Sequence, residues 1–196
     1  MPGFTLFDGF LDHAAQEAML QDVRTIVSAA PLVRPMTPWG KPMSVGMTSA
    51  GRLGWVTGKG GYTYSPRHES GLPWPPIPDS ILNVWRAVSG WRGTPDCCLV
   101  NFYREGAKMG LHRDADEGTF DAPVVSISLG DPARFRMGGL ARKDKTQAVT
   151  LNSGDVMVMG GPSRLAYHGV DRIMFGQSPL LKDGGRINLT LRVVAR

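Results

Sequence analysis

The sequence contains little cysteine and no long hydrophobic run. Only Cys97 and Cys98 occur among its 196 residues, and neighbouring side chains on a strand point to opposite faces. The sequence therefore indicates neither a disulfide framework nor a thiol metal site, and we expect a reducing, cytoplasmic location. No apolar run approaches the roughly 18 residues of a spanning helix, and the first residues lack the pattern of a signal peptide. We expect no membrane association.

Acidic residues are also missing from one long stretch. None occurs between Asp22 and Glu69, whereas basic and aromatic side chains alternate there: Arg24, Arg34, Trp39, Lys41, Arg52, Trp55, Lys59, Tyr62, Tyr64 and Arg67. The formal net charge of the whole chain is +5. Interleaved basic and aromatic groups could follow a phosphate backbone and stack on bases. The same composition also fits a solvated surface above core aromatics, so this stretch alone favours neither interpretation.

Glycine and proline bear on the fold class. The 25 Gly and 15 Pro residues favour many turns between short strands over a helical bundle. Two amphipathic helices are predicted, one from Asp12 to Ala30 with Asp12 as its N-cap, and one after Pro78. Strands are predicted at Cys97–Tyr103, Pro123–Leu129, Ala133–Met137, Ala148–Asn152, Asp155–Met159 and Arg186–Val194.

Short strands without intervening helices predict antiparallel sheets. The expected fold class is α+β and mainly β: a double-stranded β-helix, or jelly roll, with the N-terminal helices packed on one sheet. The length fits one domain over residues 1–196. Residues 1–95 would hold the helices, and residues 96–196 would form the jelly-roll core.

His112 and Asp114 form the first motif that carries chemistry. On an extended segment their side chains project to the same face, and His168 is a second histidine far downstream. Two imidazoles and one carboxylate form the facial triad typical of non-haem Fe(II) oxygenases. A lone H-x-D pair is more often a surface or capping pair, so the motif alone leaves both interpretations open.

The last predicted strand alternates perfectly. From Arg186 to Val193 the even positions are all polar and the odd positions all apolar. An antiparallel strand with one solvated face has this pattern. However, Arg186, Asn188 and Arg192 on the polar face could instead line a cavity and bind a dicarboxylate. Asn101 and Tyr103 repeat the pattern on another strand.

Seven blocks follow one another in a fixed order: Asn101-Phe102-Tyr103, Gly106-Ala107-Lys108, His112-x-Asp114-x-Asp116-Glu117, Ser126-Ile127-Ser128-Leu129-Gly130, Gly154-Asp155-Val156, Ser163-Arg164-x-x-Tyr167-His168-Gly169 and Arg186-x-Asn188-Leu189-Thr190-x-Arg192. This order resembles the AlkB family of Fe(II)- and 2-oxoglutarate-dependent dioxygenases, which demethylate alkylated bases. The likeness begins near Met36 and covers about four fifths of the chain. It implies O₂-dependent repair of 1-methyladenine- and 3-methylcytosine-type lesions in DNA, with release of formaldehyde and succinate.

The resemblance also implies a role for each matching residue. His112, Asp114 and His168 would hold Fe(II). Arg186 would pair with the far carboxylate of 2-oxoglutarate, assisted by Asn188 and Tyr103, while Arg192 and Asn101 would lie near the chelated end. Leu99, Met109 and Ser126 would shape the same pocket. The base would lie between Trp55 and His112, and the other substrate contacts would come from Thr37, Lys41, Tyr62, Asp116 and Arg142.

Partners follow from the same resemblance. Within residues 1–95 it implies a nucleotide-recognition lid, and the lid segment Trp39-Gly40-Lys41-Pro42 departs from the best-known bacterial members. We expect a monomer that acts on alkylated single-stranded DNA, with Arg52 and Lys41 as candidate phosphate contacts. The alternatives are a demethylase acting mainly on RNA, an oxygenase of the same fold with a non-nucleic-acid substrate, and a nucleic-acid-binding jelly roll whose histidines are only structural.

Overall fold

The computed structural model describes residues 2–37, 40–58 and 61–194. These contain the helices α1 (His13–Ala29) and α2 (Asp79–Val88) and a 3₁₀ turn at Gly161–Ser163. The strands are β1 (Phe4–Phe7), β2 (Val45–Gly51), β3 (Gly54–Gly58), β4 (Gly61–Ser65), β5 (Cys97–Tyr103), β6 (Met109–His112), β7 (Val124–Gly130), β8 (Ala133–Met137), β9 (Gln147–Leu151), β10 (Val156–Met159), β11 (His168–Ile173) and β12 (Arg186–Arg192).

Both helices lie where the periodicity predicts them. Helix α1 begins after Asp12, whose Oδ1 accepts a hydrogen bond of 2.8 Å from the amide of Ala15, so the predicted N-cap is confirmed. Its buried residues recur at helical spacing, at Met19, Leu20, Val23 and Ile26. Neither described helix is both long and apolar enough to cross a bilayer.

The strands form a larger and a smaller antiparallel sheet. The larger sheet has the order β1-β10-β7-β12-β5-β2, and the smaller has the order β6-β11-β8-β9. Strands β3 and β4 form a separate two-stranded hairpin. The double-sheet arrangement confirms the predicted jelly roll. Its larger sheet takes both edge strands, β1 and β2, from the first 51 residues of the chain.

Two apolar layers enclose the larger sheet. The helices pack on its outer face, where Cys98, Val100 and Leu189 join the residues of α1 and α2. The inner face packs against the smaller sheet, and Cys97 and Leu99 belong to that second layer. The two cysteines therefore point to opposite faces, as predicted, and both are free thiols.

Strand β12 shows how the alternation positions a site. Its odd residues, Ile187, Leu189 and Leu191, face the helices. Its even residues point the other way, toward the smaller sheet, and Arg186, Thr190 and Arg192 among them are buried. The polar face is therefore not solvated; it lines the space between the sheets.

Candidate functional site

Three predicted ligands meet between the two sheets. His112 ends β6, His168 begins β11, and the two residues are direct cross-strand partners. Asp114 lies two residues beyond the end of β6. One ligand atom from each of the three side chains lies within 4.8 Å of the others. The strand pairing thus brings together residues that lie 56 positions apart in the chain.

Hydrogen bonds fix the orientation of both imidazoles. Nδ1 of His112 lies 2.9 Å from the carbonyl oxygen of Gly110, and Nδ1 of His168 lies 2.9 Å from that of Ala166. Because a carbonyl oxygen only accepts, each Nδ1 carries a proton, and Nε2 is the ring nitrogen that remains as a metal ligand. The two Nε2 atoms lie 3.8 Å from opposite oxygens of Asp114. They are therefore free to bind a metal.

Only one of the two oxygens of the Asp114 carboxylate has a hydrogen-bond partner among the described residues. Its Oδ1 accepts a hydrogen bond of 2.8 Å from Arg192, whereas Oδ2 is buried and has no hydrogen-bond partner among the described residues. Burial opposes ionisation, but Arg192 together with the two histidines holds the pKa of Asp114 well below its usual range. An ionised, unpartnered oxygen is costly unless a cation binds it.

His168 is held in the form that a metal requires. Burial lowers its pKa to about 4, against the raising effect of Asp114. The imidazole is therefore neutral at pH 7 and offers Nε2 as a ligand. Two imidazoles and one carboxylate that meet at one cavity are the donor set of a non-haem Fe(II) centre. These residues fit Fe(II).

A cavity of about 210 Å³ adjoins the triad. Six of the residues predicted for 2-oxoglutarate line it, namely Leu99, Asn101, Tyr103, Ser126, Asn188 and Arg192, and so does Met109. Four further methionines and one phenylalanine in the cavity wall were not predicted: Met43, Met47, Met157, Met159 and Phe135. Their apolar surface encloses the polar groups of β5, β7 and β12.

Asn188 sits in a fixed position on the cavity wall. Its Nδ2 donates to Ser126 Oγ at 2.6 Å and to the carbonyl of Ile127 at 3.2 Å. Its Oδ1 accepts from Thr190 at 3.0 Å. Across the sheet from Asn188 lies Asn101, whose buried Oδ1 has no partner among the described residues.

Arg186 lies behind the residues that line the cavity. It is 1% exposed and is paired across the sheet with Tyr103. Its guanidinium donates to Ser128 Oγ at 2.7 Å and to two backbone carbonyls, but Nε has no partner. Burial lowers its pKa to about 10. No ion pair among the described residues involves Arg186.

The β3–β4 hairpin forms one wall of the cavity mouth. The rings of Trp55 and Tyr62 are stacked with centroids 4.7 Å apart, and both residues line the cavity. Trp55 Nε1 donates to Asp116 Oδ2 at 3.2 Å. Three predicted substrate residues therefore meet at the mouth, next to the metal ligand Asp114.

Other predicted substrate residues lie away from the cavity. Thr37 and Lys41 close an exposed turn, with the Lys41 amide donating to Thr37 Oγ1 at 3.2 Å. Arg142 lies over the ring of Tyr167, 5.9 Å from its centroid. Arg52 is exposed and pairs with Asp96 at 2.9 Å. Pro38, Trp39 and Lys59 lie outside the described residues.

Sequence reasoning missed two sets of residues around the triad. Arg113 lines the cavity, and its guanidinium lies 5.8 Å from the centroid of the Tyr167 ring, so Arg113 and Arg142 both contact this one aromatic side chain. Tyr64, Glu117 and Arg164 form contacts behind Asp114 and Arg192. Glu117 and Arg164 occur in the motif blocks, but no spacing in the sequence links them to Tyr64.

Known proteins resemble the chain over nearly its full length. The sequence profile of the 2OG-Fe(II) oxygenase superfamily matches residues 3–192. An alpha-ketoglutarate-dependent dioxygenase AlkB homolog from Caulobacter vibrioides is 52% identical over 193 residues, covering 98% of this chain and 88% of that protein. Alpha-ketoglutarate-dependent dioxygenase AlkB from Escherichia coli is 44% identical over 183 residues, covering 91% and 84%. The structure of OsALKBH1 aligns with a TM-score of 0.82 at 32% identity and covers 98% of both chains.

Proposed function

The chain belongs to the AlkB family of Fe(II)- and 2-oxoglutarate-dependent dioxygenases, and from this premise we propose that it repairs N-alkylated bases in DNA by oxidative demethylation. Its cofactors are Fe(II), 2-oxoglutarate and O₂. The observation that carries the proposal is the cavity itself, because one wall holds the triad and another holds the stacked rings of Trp55 and Tyr62. A planar base fits between such groups.

The ligand set follows from the free atoms of the triad. Nε2 of His112, Nε2 of His168 and Oδ2 of Asp114 would hold the metal. Bound Fe(II) supplies the redox chemistry that converts 2-oxoglutarate and O₂ to succinate and CO₂ and hydroxylates an N-methyl group. The hydroxymethyl product then releases formaldehyde and leaves the unmodified base.

The cosubstrate would lie across the polar face of β12. Arg186 would bind the far carboxylate of 2-oxoglutarate together with Tyr103 and Asn188. Its lack of an ionic partner supports this role, because a buried guanidinium without an anion is costly. Arg192 and Asn101 would contact the end that the metal chelates.

The base would enter at the mouth. Tyr62 covers one face of Trp55, so the flipped base would stack on the opposite face and lie against His112. Asp116 would offer its carboxylate to the edge of the base. Thr37, Lys41 and Arg142, which lie outside the cavity, would contact the flanking strand.

We extend the proposal to the form of the substrate and of the protein. A methylated base must leave the stack to reach a buried metal, and single-stranded DNA lowers that cost by a few kcal/mol. The hairpin is short, with strands of 5 residues each, and offers little surface with which to open a duplex. We therefore propose a preference for single-stranded DNA, a monomeric protein and a cytoplasmic location, the last supported by two unpaired, buried cysteines.

Mass spectrometry of defined oligonucleotides tests this function. Oligonucleotides carrying one 1-methyladenine or 3-methylcytosine, single- and double-stranded, are incubated with protein, Fe(II), 2-oxoglutarate and O₂. We expect loss of 14 mass units, roughly one CH₂, and equimolar formaldehyde and succinate. Activity only on methylated RNA would favour an RNA demethylase. Succinate formation without demethylation of either polymer would favour a different substrate class.

A further inference from the structure

Four charged side chains lie buried together behind the triad. Asp114, Glu117, Arg164 and Arg192 have side chains that are between 0% and 7% exposed, and their formal charges cancel. Taking charges out of water offsets most of the attraction between them, so such a cluster contributes little net stability. What the cluster determines is the position of the Asp114 carboxylate, which Arg192 contacts.

Arg192 is engaged by a different partner at each nitrogen. Its NH2 donates to Asp114 Oδ1 at 2.8 Å, its NH1 donates to the hydroxyl of Tyr64 at 3.1 Å, and its Nε lies 3.5 Å from Glu117 Oε1. The Tyr64 hydroxyl in turn donates to Glu117 Oε1 at 2.7 Å. Tyr64 and Glu117 thus contact the guanidinium at the two nitrogens that do not bind Asp114.

Glu117 is itself fixed by Arg164. Its Oε2 lies 3.3 Å from Arg164 NH2, and Arg164 NH1 donates to the backbone carbonyl of Asp114 at 2.9 Å. The segment from Asp114 to Glu117 is therefore held at its side chains and at its backbone. Asp114 Oδ1 is engaged by this arrangement, and Oδ2 is left for a metal.

The same segment is tied to the β3–β4 hairpin at two points. Tyr64 on β4 contacts Glu117, and its cross-strand partner Trp55 on β3 donates to Asp116. No other strand pairs with the hairpin among the described residues. These two contacts link the hairpin directly to the segment that carries a metal ligand.

We propose that Tyr64 and Glu117 are positioning residues, which fix the Asp114 carboxylate through Arg192. They thereby couple the position of the β3–β4 hairpin to metal binding. The hairpin is a nucleotide-binding element only if the proposed function holds, but the coupling itself requires no nucleic acid. Glu117→Gln keeps the shape and leaves one positive charge uncompensated beside the metal. Tyr64→Phe keeps every charge and removes one hydroxyl, so it tests geometry alone.

Metal affinity is the first measurement. Co(II) is titrated into the apoprotein and followed by its visible absorption, with circular dichroism to confirm folding. We expect the Kd to rise by about ten- to a hundredfold in Glu117→Gln, the range typical of lost outer-sphere partners, and by about two- to tenfold in Tyr64→Phe. Thr63→Val, at an exposed neighbour on β4, is the matched control and should bind like the wild type.

Hydrogen exchange of the hairpin is the second measurement. In the wild type and in Thr63→Val, Co(II) should slow amide exchange in peptides spanning residues 54–65, and in Tyr64→Phe this protection should be lost. A Tyr64→Phe protein that binds Co(II) like the wild type overturns the positioning role, even if Glu117→Gln fails to fold. If Co(II) does not change the rate of amide exchange in the hairpin of the wild type, the proposed coupling is wrong. Neither result depends on whether methylated DNA is the substrate.

Discussion

The inner end of the cavity and its mouth are built by different means. Behind the inner end, Arg186 is 1% exposed and belongs to a strand paired on both sides, with β5 and β7. At the mouth, Tyr62 is 39% exposed on a hairpin that has no further strand partner among the described residues. A strand with a partner on each side is held more rigidly than a two-stranded hairpin. We infer that cosubstrate binding is preorganised and that base binding is adaptable.

The cosubstrate and the base would both react at the metal, so loss of the triad should abolish both functions. We expect His168→Ala, His112→Ala and Asp114→Ala each to remove succinate formation and demethylation at saturating Fe(II), because a facial triad has no spare protein ligand. Succinate is measured by mass spectrometry and folding by circular dichroism. His13→Ala, at an exposed position on α1, is the control and should retain full activity. Activity retained in any triad variant would remove that residue from the ligand set.

The inner end alone is tested by Arg186→Lys. Lysine keeps the charge but loses the planar fork that binds a carboxylate at two points. A charge-assisted pair of this kind contributes about 1.5–3 kcal/mol, so the KM for 2-oxoglutarate should rise by about ten- to a hundredfold. The KM for the oligonucleotide should stay unchanged if the two ends act separately.

Arg134→Lys, on an exposed strand position, provides the control for that substitution. Thermal unfolding shows whether the loss of the Ser128 contact also destabilises the fold. An unchanged KM for 2-oxoglutarate in Arg186→Lys would transfer the carboxylate role to Arg192.

The sequence predicted the inner end better than the mouth for a physical reason. The alternation of β12 identifies Arg186 and Asn188 directly, because strand periodicity is a local property. The Asp12 cap of α1 is local in the same way. In contrast, Tyr64 and Glu117 meet across 53 positions, and the hydrogen bond between them follows from how the hairpin packs on the jelly roll. Short strands such as β6, which has 4 residues, also carry too little pattern to be recognised.

The mouth is tested by Trp55→Ala. If a base stacks on the free face of this ring, the substitution should weaken oligonucleotide binding by about 1–3 kcal/mol, while decarboxylation of 2-oxoglutarate without demethylation continues. Fluorescence anisotropy gives the affinity, and the ratio of succinate to formaldehyde gives the uncoupling. Trp55→Phe keeps an aromatic face and should lie between the wild type and alanine. Equal loss of both products would show that the mouth and the metal centre are not separable.

The smallest effect concerns the surface outside the mouth, where two basic residues of the acid-free stretch differ in their surroundings. Lys41 is exposed and forms no ion pair among the described residues, whereas Arg52 already pairs with Asp96 at 2.9 Å. If Lys41 contacts a phosphate, Lys41→Ala should reduce the slope of log K against log salt by about 0.7 on single-stranded DNA. Arg52→Ala should leave the slope unchanged, because its charge is compensated within the protein.

Neither substitution should alter which lesion is repaired, since phosphate contacts do not distinguish bases. Binding measured from low to physiological salt separates the two residues. An equal reduction for both would mean that the Arg52–Asp96 pair opens to the strand and that the phosphate path runs further along the protein than the cavity mouth.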